Sequence, residues 1–332
     1  MFVIHSYTTA ILFCFITMLC WGSWANTTKL SSAKWRFELF YWDYAFGILI
    51  LSLIMAFTLG SNGVTGMSFL ENIEQADNSN LISAFIGGIV FNLANILLVS
   101  AIALAGMSVA FPVGIGIALI LGVLVNYSVD PQGNALLLFG GVALIALAIL
   151  LNARAYQQIS KVTGSFSVKG LILAIVAGVL MGFFYKYVAV SMATDFEMPE
   201  TGKLTPYTAL VLFAVGIVCS NFIFNGLLMR FPFSGTKLSV GDYFRGSAKD
   251  HLVGIFGGAV WHLGMSFNII ASDKAGPAIS YGLGQGATVV AAIWGIFIWK
   301  EFANATKATY RNLYLMLLLY VIGIILIILA KN

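Results

Sequence analysis

The chain alternates long apolar segments with short polar breaks. Ten segments contain almost only apolar side chains, and each has about the length of roughly 20 residues that a helix needs to cross a bilayer. They cover residues 8–26, 40–59, 81–104, 107–127, 136–153, 170–190, 207–229, 252–271, 277–299 and 310–330. Because a backbone in lipid must satisfy its own hydrogen bonds, this pattern predicts an all-α integral membrane protein with ten transmembrane helices.

The composition agrees with lipid as the surrounding solvent. Of the 332 residues, 60% are hydrophobic and 9% are charged, whereas soluble proteins are about 25% charged. The net charge of +4 is too small to predict a nucleic-acid partner. The cysteines Cys14, Cys20 and Cys219 lie in apolar segments without the spacing of a metal site. We therefore expect no disulfide, no bound metal and no cofactor.

Basic residues concentrate on one side of the predicted membrane domain. The connections after spans 1, 5, 7 and 9 hold 13 of the 17 Lys and Arg residues. By the positive-inside rule that side is cytoplasmic, so the sequence predicts that both termini lie outside and that the 153–169 loop is cytoplasmic. Neither a basic segment nor a cleavage site precedes the first apolar segment, so we expect the first helix to be retained.

The second half of the chain repeats the first. Residues 85–126 align with 255–296 without a gap, at an offset of 170, and nine positions are identical, including Gly88 with Gly258 and Gly106 with Gly276. Five spans per half is an odd number, so two such halves insert in opposite senses, as in many secondary transporters. We divide the chain into a five-helix repeat at 1–152, a cytoplasmic linker at 153–169 and a second repeat at 170–332. Chance recurrence of glycine is the alternative.

Polar side chains recur at mid-depth in several spans, where they are costly unless they face a cavity or a partner. Asn92 and Asn95 share a stripe in span 3, and His262 follows Trp261 in span 8. Span 9 carries Tyr281, Gln285 and Thr288 on one face, and glycines, with Pro112, predict loosened helix at 111–116 and 281–286. Each polar group has two interpretations: it lines a cavity, or it forms a hydrogen bond between neighbouring helices.

Two further residues stay ambiguous at this level. Asp43, within an aromatic belt near the cytoplasmic end of span 2, is either an interfacial anchor or a proton-carrying carboxylate. Lys186 either reaches the interface or faces the cavity. The sequence lacks the phosphate-loop, metalloprotease and hydrolase motifs, and its loops are too short for a catalytic domain. We therefore predict that the protein is not an enzyme.

Several local sequences resemble the drug/metabolite transporter superfamily, in the branch that holds ureide permeases, bacterial glucose/ribose porters and the rhamnose–proton symporter. The matching stretches include Cys20 to Trp24, Trp42-Asp43-Tyr44, Gly87 to Val90, and Ala291 to Phe297 followed by Lys300-Glu301. The plant ureide permeases have a long central loop with a phosphate-loop-like sequence. The 153–169 loop is short and lacks it, which favours a bacterial-type member in a bacterial plasma (inner) membrane.

The resemblance implies proton-coupled or facilitated movement of a small neutral polar solute such as a ureide, a nucleobase or nucleoside, or a sugar. It also implies a central cavity lined by spans 1, 3, 4, 6, 8 and 9. The predicted substrate-binding residues are Trp21, Asn92, Asn95, Trp261, His262, Tyr281 and Gln285, and the predicted proton-coupling residues are Asp43 and His262. A multidrug exporter and a passive channel are the alternatives, and a homodimer is one candidate assembly.

Overall fold

A computed structural model of the protein describes residues 1–159 and 167–331. Ten helical segments in it are long and apolar enough to cross a membrane, which confirms the predicted number of spans. The spans are α1 Tyr7–Ser23, α2 Phe37–Phe57, α4 Asn78–Ala105, α5 Met107–Val129, α6 Ala135–Ile159, α7 Val168–Ser191, α8 Pro206–Arg230, α10 Ala248–Ala275, the pair α11 Pro277–Gly284 and α12 Ala287–Ile293, and α13 Lys307–Leu329.

Two spans differ from a simple helix. The first continues from α1 into a 3₁₀ helix at Trp24–Leu30. The ninth breaks between α11 and α12, in the glycine-rich stretch, and α12 continues into a π-helical turn at Trp294–Ile298. The predicted loosening of the fourth span is absent, since α5 stays helical through Pro112. Pro112 lies in the second turn, where its missing N–H removes one hydrogen bond near the helix start.

Two short helices lie in connections that the hydropathy pattern left as loops. These are α3 at Phe69–Gln75 and α9 at Val240–Phe244. Each starts with a capping box, in which Ser68 pairs with Glu71 and Ser239 with Asp242. The predicted polar linker 153–169 also begins inside a helix, because α6 extends to Ile159, and residues 160–166 lie outside the described part of the chain.

The main packing contacts of the spans are related by exchange of the two halves. The third span (α4) packs on α7 and α8, and its counterpart, the eighth span (α10), packs on α1 and α2. The fourth span (α5) packs on α7, as the ninth (α11 and α12) packs on α1. Three further pairs, α2 with α8, α6 with α13 and α5 with α11, map onto themselves. This arrangement is compatible with the predicted inverted repeat.

Equivalent glycines make equivalent helix crossings. A Cβ atom on Gly88 would collide with the carbonyl oxygen of Phe213, and one on Gly258 would collide with that of Tyr44. Both crossings therefore need glycine for the backbones to approach. Gly106 and Gly276, which join the third to the fourth and the eighth to the ninth span, have φ of 79° and 82°. The repeated positions thus perform the same structural task in both halves.

An even number of spans brings both ends of the chain to one face of the membrane domain. We call this the termini face, and we call the opposite face, where α6 ends and α7 begins, the linker face. At the termini face, the Tyr7 hydroxyl donates to the carbonyl of Ile328 at 2.6 Å, which ties the first span to the tenth. Buried aromatic residues continue from there into the middle of the bundle.

Candidate substrate cavity

A cavity of about 450 Å³ lies between the two halves. Its lining comes from all six spans that the family resemblance implied, 1, 3, 4, 6, 8 and 9. The second span (α2) and the fifth span (α6) contribute as well. The cavity opens at the linker face, where Ala25, Lys29 and Glu301 are exposed. Concave sites of this size, with an apolar wall and a few polar groups, are typical of small-molecule binding.

Aromatic rings form the wall at mid-depth. The rings of Trp21 and Trp261 are stacked, with centroids 5.8 Å apart and planes within 10°. Phe91 packs on the Trp261 ring at 4.4 Å, and Phe184 packs on Phe91 at 5.2 Å. The Trp21 indole donates to the carbonyl of Trp261 at 3.2 Å, so its orientation is fixed. This wall offers flat faces for a ring-shaped or C–H-rich solute.

A few uncharged polar groups face the same space. Asn95 donates to the Tyr41 hydroxyl at 3.1 Å, and this bond orients its amide beside the wall. Gln285 and Thr288 line the cavity from the ninth span, and the Thr288 hydroxyl donates to the carbonyl of Gln285 at 3.0 Å. Asn152 lines the cavity from α6, and its Oδ1 has no partner among the described residues. Amides can both donate and accept, which suits a neutral hydrogen-bonding solute.

Among the described residues, charged groups enter the lining only at the mouth. Lys29 lies 3.6 Å from the Glu301 carboxylate and 3.9 Å from the centroid of the Trp299 ring. Glu301 also accepts from the Tyr156 hydroxyl at 2.7 Å, and the Trp299 indole donates to Asn26 at 2.6 Å. These contacts join the ends of the first, fifth and ninth spans around the opening.

Three of the predicted substrate-binding residues lie outside the cavity lining. Asn92 is fully buried and donates to Ser220 at 2.8 Å and to the Ile217 carbonyl at 3.3 Å, so it ties α4 to α8. His262 is fully buried, and neither ring nitrogen has a partner in the described part of the chain. Tyr281 is also fully buried. Trp21, Asn95, Trp261 and Gln285 do line the cavity, whereas Lys186 does not.

Asp43 belongs to a separate cluster at the linker face. Its carboxylate accepts from the Tyr243 hydroxyl at 2.6 Å and lies 3.0 Å from Nδ1 of His251. Trp35 packs edge-on against the His251 ring at 5.0 Å. Burial, and then the hydrogen bond to Asp43, raise the pKa of the Tyr243 phenol. The cluster joins α2, α9 and α10, and none of these four residues lines the cavity.

Sequence reasoning missed several residues of this site. Phe91, Phe184, Asn152 and Tyr156 were not singled out, although all line the cavity. A signal existed for Phe91, because it is the repeat equivalent of Trp261 at the offset of 170. Asn152 and Tyr156 carried a weaker one, since they lie one helical turn apart at the end of a span.

The family model for ureide permeases matches residues 40–160 and 152–330. The chain belongs to the ureide permease family. Family members are transporters, so the protein is a multi-pass membrane transporter and not an enzyme.

Two ureide permeases of Arabidopsis thaliana are similar to this chain over nearly their whole length. Ureide permease 1 is 22% identical over 380 residues, covering 98% of this chain and 97% of the relative. Ureide permease 2 is 23% identical over 385 residues, covering 97% and 96%. A crystal structure of another protein superposes with a TM-score of 0.60 at 14% identity, covering 96% of this chain and 97% of its own, which shows the fold alone.

Proposed function

We propose that this ureide permease is an alternating-access secondary transporter that imports a small neutral polar solute. The observation that supports it is the one-sided cavity between the halves. This cavity extends from the linker face to the stacked tryptophans Trp21 and Trp261, which close its inner end. Alternating access requires a central site that connects to one face at a time. A passive channel, the alternative from another class, would need a path to both faces at once.

The solute is a ureide or a chemically related compound, such as a nucleobase, a nucleoside or a sugar. Trp21 and Trp261 supply apolar faces, and Asn95 and Gln285 supply amide groups at the same depth. The relatives named ureide permeases favour the ureide among these candidates. A multidrug exporter for cations would favour a carboxylate at mid-depth, whereas Glu301 lies at the mouth and is paired with Lys29.

Coupling to protons is the energy source in this proposal. Asp43 remains a candidate because its buried carboxylate contacts the His251 ring and the Tyr243 hydroxyl. His262 is the second candidate, because neither ring nitrogen of its buried imidazole has a hydrogen-bond partner among the described residues. A buried polar group without a partner destabilises the fold, so its retention indicates a function. Asp43 lies outside the cavity lining, so it would act by linking its own protonation to the packing of α2 against α10.

The proposed orientation places both termini outside and the linker face in the cytoplasm, as the distribution of basic residues predicts. The proposed location is a bacterial plasma membrane, although the relatives named above are plant proteins. The alignment with ureide permease 1 spans 380 residues against 332 in this chain, so that relative carries insertions. A short linker fits this difference. The division into two repeats and a linker, with a homodimer as one candidate assembly, is part of the same proposal.

Uptake into proteoliposomes tests the function. Labelled allantoin, uracil, xanthine, a nucleoside, glucose, ribose and rhamnose are offered with and without an inward pH gradient. We expect saturable uptake of at least one solute, acceleration by the same solute inside, and accumulation only with the gradient. Protein-free liposomes and the variant Gly226→Ala, whose added Cβ meets open space, are the controls. Uptake that never saturates would favour the channel, and protection of cells against lipophilic cations would favour the exporter.

A further inference from the structure

Equivalent residues of the two halves line the middle of the cavity in pairs. Phe91 and Trp261, at the offset of 170, both line it and pack on each other at 4.4 Å. Ile115 and Gln285, at the same offset, also both line it. The first and sixth spans contribute Trp24 with Phe184, whose numbers differ by 160, as do those of the paired Gly22 and Gly182. The central site is therefore built almost symmetrically.

The symmetry fails at the pair Phe111 and Tyr281. Phe111 is partly exposed and lines the open cavity, whereas Tyr281 is fully buried on the side of the termini face. The Tyr281 hydroxyl donates to the carbonyls of Met181 at 3.1 Å and Ala118 at 3.2 Å. A Cβ atom on Gly122 would overlap the Tyr281 ring. Tyr281 thus closes the bundle where its repeat equivalent leaves it open.

The residues that would receive Phe111 are already present in the cavity wall. The repeat equivalents of Ala118, Gly122 and Met181 are Thr288, Ala292 and Trp21. All three line the cavity together with Phe111. Ala118 and Gly122, in contrast, are covered by Tyr281 and do not line it. The two halves therefore provide equivalent packing surfaces for an aromatic side chain. The one at the termini face is covered by Tyr281, and the one at the linker face borders the open cavity.

We propose that Tyr281 and Phe111 are the two gating residues of the transporter, and that they exchange roles during transport. This inference rests on the proposed alternating access. In the opposite state Phe111 packs onto Trp21, Thr288 and Ala292 and closes the linker face, while Tyr281 leaves Gly122 and opens the termini face. Side-chain sizes agree with this exchange, since tyrosine, which carries the additional hydroxyl, meets a glycine, and the smaller phenylalanine would meet an alanine.

Thiol labelling from each face tests the exchange without any transported solute. In a background with Cys14, Cys20 and Cys219 replaced by alanine, Ala291→Cys reports on the linker face, because Ala291 lines the cavity. Ala278→Cys reports on the termini face, where Ala278 is buried one turn from Tyr281. A membrane-impermeant maleimide is applied to each face. The background should label at position 291 from the linker face and stay protected at position 278.

Gly122→Ala should reverse this pattern, because its methyl group pushes the Tyr281 ring out of its place. We expect labelling at position 278 to rise about tenfold and labelling at position 291 to fall, whereas Gly116→Ala on the same helix, whose Cβ meets open space, should change neither. Tyr281→Phe, which removes only the two hydrogen bonds, should shift labelling in the same direction by about threefold. Phe111→Ala should shift it in the opposite direction.

Each other outcome contradicts the proposal. Equal labelling in Gly122→Ala and Gly116→Ala would show that Tyr281 is not a gate, and a rise at both positions would indicate loosened packing instead of exchange. A shift of Phe111→Ala in the same direction as Gly122→Ala would exclude opposite roles. If these shifts occur and every solute in the uptake assay fails, the gating inference stands and the proposed solute class is wrong.

Discussion

Trp21 and Trp261 face each other across the interface between the first and eighth spans, with ring centroids 5.8 Å apart and planes 10° from parallel. Both rings border the cavity, and the indole of Trp21 is held by the carbonyl of Trp261. A solute in the cavity therefore lies against two aromatic side chains whose orientation is already fixed.

Replacing Trp261 should weaken solute binding without unfolding the bundle. Aromatic contacts are worth about 0.5–1.5 kcal/mol beyond area burial, so Trp261→Ala should raise KM for uptake at least about threefold to tenfold. Trp42→Phe is the matched control, because Trp42 packs on Phe222 and does not line the cavity. Initial rates of uptake over a range of solute concentrations measure this. An unchanged KM in Trp261→Ala would remove the tryptophan wall from the site.

Asn92 and Asn95 should have different phenotypes although they share one stripe of α4. Asn95→Ala should raise KM, because its amide lies at the cavity. Asn92→Ala should leave KM unchanged and lower stability by about 1 kcal/mol, the usual range for a hydrogen bond between membrane helices, since Asn92 bonds to Ser220 and Ile217. Uptake kinetics and thermal unfolding in detergent separate the two effects. A raised KM for Asn92→Ala would place Asn92 in the solute site, as the sequence predicted.

Asp43→Asn tests proton coupling. The substitution keeps the size of the side chain and removes its charge, so we expect it to abolish uphill accumulation under a pH gradient and to preserve counterflow exchange of solute. Glu38→Gln is the control, because Glu38 lies on the same helix and pairs with Arg36. Accumulation and counterflow are measured in the same proteoliposomes. Normal accumulation by Asp43→Asn would exclude Asp43 and leave His262 as the remaining candidate.

The equivalent glycine crossings should be equally sensitive. Gly88→Ala and Gly258→Ala each drive a methyl group into a carbonyl of the neighbouring helix, so each should cost about 1–3 kcal/mol of stability, as overpacking does. Gly226→Ala, on α8, should stay within about 0.5 kcal/mol, because nothing lies near its added Cβ. Thermal unfolding in detergent measures all three. A large cost at only one of the two crossings would contradict their structural equivalence.

Acid should loosen the connection between α7 and α8 at the termini face. Hydrogen bonds from His5 and then Lys274 hold the pKa of Glu197 below its ordinary value of 4.5. A lowered folded-state pKa means that the contribution of Glu197 is present above pH 4.5 and is lost as the pH falls through the lower value. The protection of the backbone amides of residues 192–205 against hydrogen exchange, relative to their intrinsic rate at the same pH, should therefore fall as the pH is lowered below 4.5. Glu197→Gln should show the lower protection already at pH 7 and little further change in acid.

The equivalence of the two halves could be predicted from the sequence because glycines recur at equivalent positions. A helix crossing with backbone contact tolerates no Cβ, so Gly88 and Gly258 stay visible at the offset of 170. The helices α3 and α9 could not be predicted from hydropathy, because they are short, mixed in polarity and defined by their capping boxes. The break in the ninth span followed its glycines, while Pro112 lies too near a helix start to interrupt α5.

The sequence by itself determined the ten spans, the likeness of the halves and the depth of the polar residues, since lipid selects for apolar length and makes each buried polar group conspicuous. Only the tertiary structure decided which of those groups face the cavity. A residue turned away from lipid faces either a neighbouring helix or the central space, and hydropathy is the same for both. Asn92 bonds to Ser220 on α8, whereas Asn95, one turn further along, reaches the solute cavity.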